Sequence, residues 1–165
     1  MLTLIIRQMK EEDIPFVQEI AKTSWYATYE GIIPMHIQNR FLEAAYSEER
    51  LLTRLQTSPF LVAKLGESLV GFANFSNVND NGQAELFAIY LLPGAQNKGI
   101  GTALLESGIQ KLQGITSLTV CVEKDNIIGS QFYKAKDFQP VEEFDDLFDG
   151  HILQTIRLEL ALTKK

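Results

Sequence analysis

The hydrophobic pattern of the chain changes at Pro93-Gly94. Before this point, β-rich runs at 60–65, 68–77 and 84–92 follow one another with short turn segments between them, which predicts an antiparallel meander. After it, helical and strand patterns alternate, as they do where helices cross from one strand of a sheet to another. Together the two patterns predict a mixed α/β (α+β) fold with helices on both faces of a sheet.

Apolar spacing and turn residues outline the other elements. Ser47 followed by Glu48 is typical of a capped helix start, and Gly31 with Pro34 ends the first helix. The predicted helices cover 14–26, 35–45, 47–58, 99–113 and 126–136, and the remaining strands cover 2–8, 118–122, 139–144 and 152–160. A chain of 165 residues is long enough to bury one core, so we expect a single domain over residues 1–165.

The formal net charge of the chain is −6. This charge repels nucleic-acid phosphates and anionic membrane surfaces, so neither is an expected partner, and it weakly attracts polyamines and other cationic amines. The sequence has no apolar run near the roughly 20 residues that cross a bilayer, and its first residues lack the pattern of a signal peptide. We therefore expect a cytoplasmic protein.

Three residue types that often carry chemistry give no signal of it here. Cys121 is the only cysteine and lies in an apolar strand pattern, which predicts an inert thiol in the core. His36 and His151 lack other ligand residues at the spacing typical of a metal site, so no metal is expected. The Gly-x-Ser-x-Gly pattern of a serine hydrolase is also missing.

The segment 91–102 joins a strong strand pattern to a strong helix pattern. Gly99 and Gly101 allow a ligand close to the backbone, and the first amides of a helix lack internal partners, so this turn is suited to bind a diphosphate. A tight turn with close helix packing requires the same glycines. The signatures of a P-loop and of a dinucleotide-binding fold are both missing.

The run Gln96-Asn97-Lys98-Gly99-Ile100-Gly101 resembles the Gln/Arg-x-x-Gly-x-Gly/Ala signature of the GCN5-related N-acetyltransferase (GNAT) superfamily. The resemblance implies a mostly antiparallel twisted sheet that is splayed between its fourth and fifth strands. It also implies that amides of this loop bind the diphosphate of acetyl-CoA and that the bulged strand before it binds the pantetheine arm. The cofactor-binding residues carried over in this way are Leu91, Leu92, Gln96, Asn97, Lys98, Gly99, Ile100, Gly101 and Thr102.

A second motif, Asn126-x-x-Gly-Ser-x-Phe-Tyr133, is similar to the family's Asn-x-x-Ala-x-x-Phe-Tyr helix. Asn126 and Tyr133 are two helical turns apart and share a face, which predicts that Ile128, Phe132 and Ala135 lie on the opposite, apolar side. The resemblance implies that Asn126 binds the cofactor and that Tyr133 is the general acid; packing of Tyr133 against the cofactor without proton transfer is the alternative. Gly129 replaces the usual Ala, which should weaken the helix, and Asp137 replaces a Gly at its end.

An amine nucleophile must lose a proton, and Glu85 is the candidate base because the family often has a Glu at this position, acting directly or through water. A solvated strand glutamate is the alternative. Trp25, Tyr29 and Glu30 resemble a stretch that borders the acceptor site in one branch of the family, although core packing explains Trp25 equally well. Five acidic residues either attract a cationic amine or form a solvated hairpin tip: Glu142, Glu143, Asp145, Asp146 and Asp149.

The sequence therefore predicts a GNAT enzyme that moves an acetyl group from acetyl-CoA to a primary amine by direct transfer in a ternary complex. A polyamine or another small amine is the favoured acceptor; an antibiotic and a protein N-terminus stay open. The alternative function is a non-catalytic acyl-CoA-binding or regulatory module. The resemblance is compatible with a monomer or a homodimer.

Overall fold

The computed structural model describes residues 2–162 and contains five helices and seven strands in that range. The helices are α1 (Ile14–Tyr29), α2 (Met35–Ala45), α3 (Glu48–Thr57), α4 (Ile100–Lys111) and α5 (Ile127–Ala135). The strands are β1 (Leu4–Gln8), β2 (Phe60–Leu65), β3 (Ser68–Phe75), β4 (Gln83–Leu91), β5 (Ser117–Glu123), β6 (Gln139–Phe148) and β7 (His151–Ala161). None of the helices within residues 2–162 is both long and apolar enough to cross a membrane.

The strands form one sheet in the order β1-β2-β3-β4-β5-β7-β6. All neighbours are antiparallel except β4 and β5, which run parallel and pair only from Gln83 to Glu85 on β4. Beyond Glu85 these two strands separate. The prediction of a mixed, mostly antiparallel sheet that splays between its fourth and fifth strands is confirmed.

Helices cover both faces of this sheet, as the sequence predicts. Helices α1 and α3 pack on one face around a buried cluster that includes Val17, Leu51 and Phe60. Helix α4 packs on the other face, where Gly108 lies directly over Phe75. A Cβ atom on Gly108 would come within 2.1 Å of the Phe75 ring, so glycine at this position lets the helix lie close to the sheet.

A β-bulge in β4 changes which face its side chains occupy. Phe75 of β3 pairs with Leu86 and Asn74 pairs with Ala88, which leaves Phe87 as the extra residue. Leu86 packs with the α4 layer, whereas Ala88 packs with the α1 layer. The bulge expected from the family resemblance is therefore confirmed.

The hairpin of β6 and β7 is longer than the sequence pattern predicts. Asp145 and Asp146, which were expected in its tip, pair with Gln154 and Leu153 inside the hairpin. The turn itself contains only Asp149 and Gly150, with φ of 49° and 77°, a residue pair typical of a tight hairpin turn. Pairing with β7 thus extends the strand through acidic residues that have low intrinsic strand propensity.

Candidate active site

A cleft of about 760 Å³ opens where β4 and β5 separate. Its walls come from α1, β4, β5, α5 and the loop before α4. Of the residues that the sequence assigns to a site, the cleft brings together Tyr29, Leu91, Gln96, Asn97, Gly101, Asn126 and Tyr133. Leu92, Lys98, Gly99, Ile100, Thr102, Glu85, Trp25 and Glu30 are not among the residues that line it.

The loop before α4 presents unpaired backbone amides at one side of the cleft. Asn97 and Gly99 have φ of 63° and 78°, and the first helical hydrogen bond runs from the Ala103 amide to the Gly99 carbonyl, at 3.0 Å. The amides of residues 97–102 have no hydrogen-bond acceptor within the described part of the chain. Amides arranged in this way at a helix start can bind an anion such as a diphosphate.

Leu91 and Leu92 differ in how far their backbone is already engaged. The Leu92 amide donates to the Val70 carbonyl and the Leu92 carbonyl accepts from Ala95, both at 2.8 Å. Leu91 lines the cleft, and its carbonyl accepts a hydrogen bond of 2.8 Å from Ser24 Oγ. Ser24 therefore fixes the end of β4. The sequence did not predict this role, although a polar residue three positions after Ala21, on the buried side of α1, was a possible signal of it.

Tyr133 is the one titratable side chain that is both more than nine-tenths buried and part of the cleft wall in the region the structure describes. Its ring packs edge-on against Phe132 and Phe138, each with a centroid distance of 5.4 Å. Its hydroxyl has no hydrogen-bond partner among residues 2–162. Burial raises the pKa of Tyr133, so the phenol is protonated at neutral pH and available to donate a proton.

Asn126 is the N-cap of α5. Its Oδ1 accepts a hydrogen bond of 3.0 Å from the Gly129 amide, and its side chain lies in the cleft wall close to the Tyr29 hydroxyl. A Cβ atom on Gly129 would lie 2.7 Å from Asn126 Nδ2. Glycine at 129 therefore makes room for this cap, in addition to the weakening of the helix that the sequence predicts.

The prediction that Ile128 lies on the buried side of α5 is wrong. Ile128 is 68% exposed and lines the outer part of the cleft, whereas Phe132 packs against α4 at Gly101. The reason is that α5 meets the core through Tyr133 at its C-terminal end, which turns the first part of the helix towards solvent. At the end of the helix, Asp137 has a φ of 70°, the left-handed geometry that the family's glycine would provide.

The prediction that Cys121 is a core thiol is also wrong. Val120 and Val122 point into the buried cluster under α4, so Cys121 between them points to the opposite face of β5. On this face the residue is exposed, and it lies in the wall of the cleft. Apolar strand neighbours gave no sign of this, because only one face of the strand is buried.

Glu85 lies just beyond the residues that line the cleft, where β4 still pairs with Thr119 of β5. Its amide donates to Ser76 Oγ at 2.8 Å, and its side chain is partly buried. Burial raises the pKa of Glu85, and the positive charge of Arg157 partly offsets this effect. A carboxylate with a raised pKa is a stronger base than an ordinary glutamate.

The three predicted acceptor-side residues occupy different environments. Trp25 is buried, stacks on Phe41 with a ring-centroid distance of 4.3 Å, and donates its indole N–H to the Tyr90 hydroxyl at 2.9 Å. These contacts agree with core packing, which was the alternative interpretation of Trp25. Tyr29 packs against Trp25 and lines the cleft, and burial raises its pKa. Glu30 is exposed outside the cleft. Within residues 2–162, no group of three or more His, Cys, Asp or Glu side chains is placed to hold a metal ion.

Comparison with known proteins places this geometry in one family. The model of the acetyltransferase (GNAT) family matches residues 15–138. A spermidine N(1)-acetyltransferase of Thermoplasma acidophilum is 33% identical over 152 residues, which cover 87% of this chain and 92% of that protein. An uncharacterized N-acetyltransferase of Bacillus subtilis, YuaI, is 33% identical over 151 residues, with 87% and 84% of the two chains covered.

A solved structure supports the same assignment. The crystal structure of PaiA N-acetyltransferase from Thermoplasma acidophilum in complex with coenzyme A superposes with a TM-score of 0.85 and 28% identity, over 97% of this chain and 99% of that one. The similarity thus extends over nearly the whole fold. The chain belongs to the GNAT family of acetyltransferases.

Proposed function

We propose that this protein transfers an acetyl group from acetyl-CoA to a primary amine, and that a polyamine is the favoured acceptor. The observation that carries the proposal is the cleft between β4 and β5, which has unpaired amides at one side and the unpartnered Tyr133 hydroxyl in its wall. The chain's similarity to a spermidine N(1)-acetyltransferase supports a polyamine acceptor. The net charge of −6 also favours a cationic acceptor, which it attracts weakly.

The residues present fit acetyl-CoA. The amides of residues 97–102 would bind its diphosphate, Leu91 would border the pantetheine arm, and the side-chain amide of Asn126 would donate to it. When bound, acetyl-CoA supplies an acetyl group activated as a thioester. Binding the acetyl donor and the amine side by side supplies much of the rate, because the reaction no longer requires a chance encounter.

Two side chains would then move protons. Glu85 accepts a proton from the acceptor ammonium, directly or through a water molecule, so that the neutral amine can attack the acetyl carbon. Tyr133 donates its phenolic proton to the sulfur as the carbon–sulfur bond breaks. The nitrogen, now bonded to the acetyl carbon, loses its second proton to solvent, and solvent returns a proton to the phenolate. Burial assists the first step, since it raises the pKa of Glu85 and makes it a stronger base. Burial also raises the pKa of Tyr133, so the phenol keeps its proton until the sulfur takes it but is a weaker acid than an exposed tyrosine.

Release of free CoA thiol from acetyl-CoA tests the proposal. We expect release that depends on an added amine and saturates with spermidine or putrescine, together with a product whose mass has increased by one acetyl group. Glucosamine, an amino sugar, and a peptide with an N-terminal alanine are tested alongside, as acceptors of other chemical classes. The absence of amine-dependent thiol release with every acceptor would overturn the proposal.

A further inference from the structure

An uncovered strip of the sheet adjoins the cleft on the face that carries Cys121. In the strand register, Cys121 of β5 is opposite Arg157 of β7, and Arg157 is opposite Glu142 of β6. The side chains of directly paired residues lie on the same face of a sheet. These three side chains therefore form a row that leads outwards from the cleft wall.

Carboxylates surround the one arginine of this row. Arg157 Nη1 lies 2.5 Å from Glu142 Oε2, and its guanidinium lies over the Phe144 ring at 5.4 Å. Because side chains alternate along a strand, Asp146 and Glu159 share this face with Glu142 and Arg157. Together with Glu85 at the inner end, four carboxylates and one guanidinium line this surface, which we name the acceptor strip.

The neighbouring approach to the cleft, between the end of α1 and the hairpin, is closed. Trp25, Phe41 and Phe148 stack with centroid distances of 4.3 to 6.1 Å. The Arg40 guanidinium lies 2.7 Å from an Asp149 carboxylate oxygen and ties α2 to the tip of the hairpin. An acceptor that entered here would have to break this aromatic contact, whereas the acceptor strip is already open.

The hydroxyl of Tyr133 offers a hydrogen-bond partner to a ligand in the same cleft. Tyr133 is 7% exposed, it lines the same cleft as Cys121, and its hydroxyl has no hydrogen-bond partner in residues 2–162. Because this oxygen is not fully enclosed by protein, it faces the space of the cleft and is available to a ligand or to water. A ligand group that reaches past Cys121 would meet this hydroxyl.

We propose that a cationic acceptor binds along the acceptor strip and passes over Cys121, with a second ammonium group held by Glu142. This inference rests on the proposed acetyl transfer. The reacting nitrogen lies towards Glu85, and the rest of the acceptor extends outwards over β7 and β6. The neighbouring Arg157 is tolerated because Glu142 neutralises it.

Two adjacent glutamates of β6 provide a matched test. Glu142 faces the acceptor strip and pairs with Arg157, whereas Glu143 lies on the opposite face and pairs with Lys124 at 2.9 Å. Glu142→Gln removes a negative charge from the strip and leaves Arg157 unneutralised, so we expect the KM for spermidine to rise about fivefold or more, with kcat and the KM for acetyl-CoA within about twofold. Glu143→Gln removes the same charge from the same strand and should leave all three values unchanged.

Cys121 provides a second readout, because it is the only thiol in the chain. The enzyme is saturated with desulfo-CoA, which lacks the thiol that would consume the reagent, and the rate of maleimide labelling is measured with and without spermidine. We expect saturating spermidine to slow labelling about tenfold. At the same concentration, 4-amino-1-butanol, which has putrescine's chain length but only one positive charge, should protect Cys121 from labelling much less.

These outcomes separate the inference from the proposed function. If wild-type protein releases no CoA thiol with any amine and spermidine does not protect Cys121, both fail. If acetyl transfer occurs but Glu142→Gln and Glu143→Gln give equal KM values, or Cys121 labels at the same rate with spermidine, the acceptor binds elsewhere and only the inference is overturned. The labelling experiment uses unmodified protein, so it decides the question even if a variant fails to fold.

Discussion

Replacing Tyr133 with Phe removes a single oxygen atom from the cleft wall. The ring contacts with Phe132 and Phe138 remain, and no partner is left unsatisfied because the hydroxyl has none in the described structure. We therefore expect the free energy of unfolding to change by less than about 1 kcal/mol. Affinity for acetyl-CoA should also be kept, since the loop amides of residues 97–102 are unaffected.

The turnover number should fall much more than either of these quantities. A general acid typically contributes about 10²–10⁴ in rate, and a thiolate is already a good leaving group, so we expect the lower end, about a hundredfold loss in kcat. Stopped-time assays of CoA thiol release at saturating acetyl-CoA and amine measure this loss. Tyr26→Phe is the matched control, because its hydroxyl bonds to Asn39 outside the cleft.

Two outcomes would contradict the role of Tyr133 as the general acid. A kcat within about threefold of the wild-type value would mean that the Tyr133 hydroxyl transfers no proton in the slow step. A loss of kcat together with loss of acetyl-CoA affinity would mean that Tyr133 binds the donor instead of acting as an acid. Product release must be faster than chemistry in both proteins, which a pre-steady-state burst measurement establishes.

Three further changes test other parts of the structure. Gly108→Ala places a methyl group against the buried Phe75 ring and should lower the free energy of unfolding by about 1–3 kcal/mol in a urea titration; no loss would contradict the close packing of α4 on the sheet. Asp137→Gly relieves left-handed backbone and should raise the unfolding midpoint by about 1–4 °C, whereas a lower midpoint would show that the aspartate side chain stabilises the turn. Because burial raises the pKa of Glu85, the rate should fall on the acidic side at a higher pH than for an ordinary glutamate; Glu85→Gln should abolish this limb of the pH profile, and an unchanged profile would exclude Glu85 as the base.

Much of the fold follows from local sequence signals. Ser47 predicts a helix start, and its Oγ does accept the Arg50 amide at 3.2 Å. The glycines of the loop before α4 predict a tight turn, and Gly99 adopts the positive φ of such a turn. Such features depend on residues close in the chain, so a single sequence carries them.

Local signals could not predict which side chains of β5 and α5 are exposed, or which residues of separate strands lie side by side. Cys121 has apolar neighbours, yet it is exposed because it lies on the face of β5 that is opposite the buried cluster and borders the cleft. Ile128 is exposed because α5 is oriented by its contact through Tyr133. The row of Cys121, Arg157 and Glu142 depends on strand register between segments far apart in the chain, which periodicity within each segment does not reveal.

The central claim is that the cleft between β4 and β5 binds acetyl-CoA through the loop before α4, and a thermal-unfolding titration with acetyl-CoA tests it most directly. A ligand at about one hundred times its dissociation constant adds about 2.7 kcal/mol, which for a chain of this size raises the midpoint by about 5–10 °C. We predict a saturable rise of this size, and a much smaller one with acetyl-pantetheine, which lacks the diphosphate. No rise at millimolar acetyl-CoA, or an equal rise with both compounds, would contradict the claim.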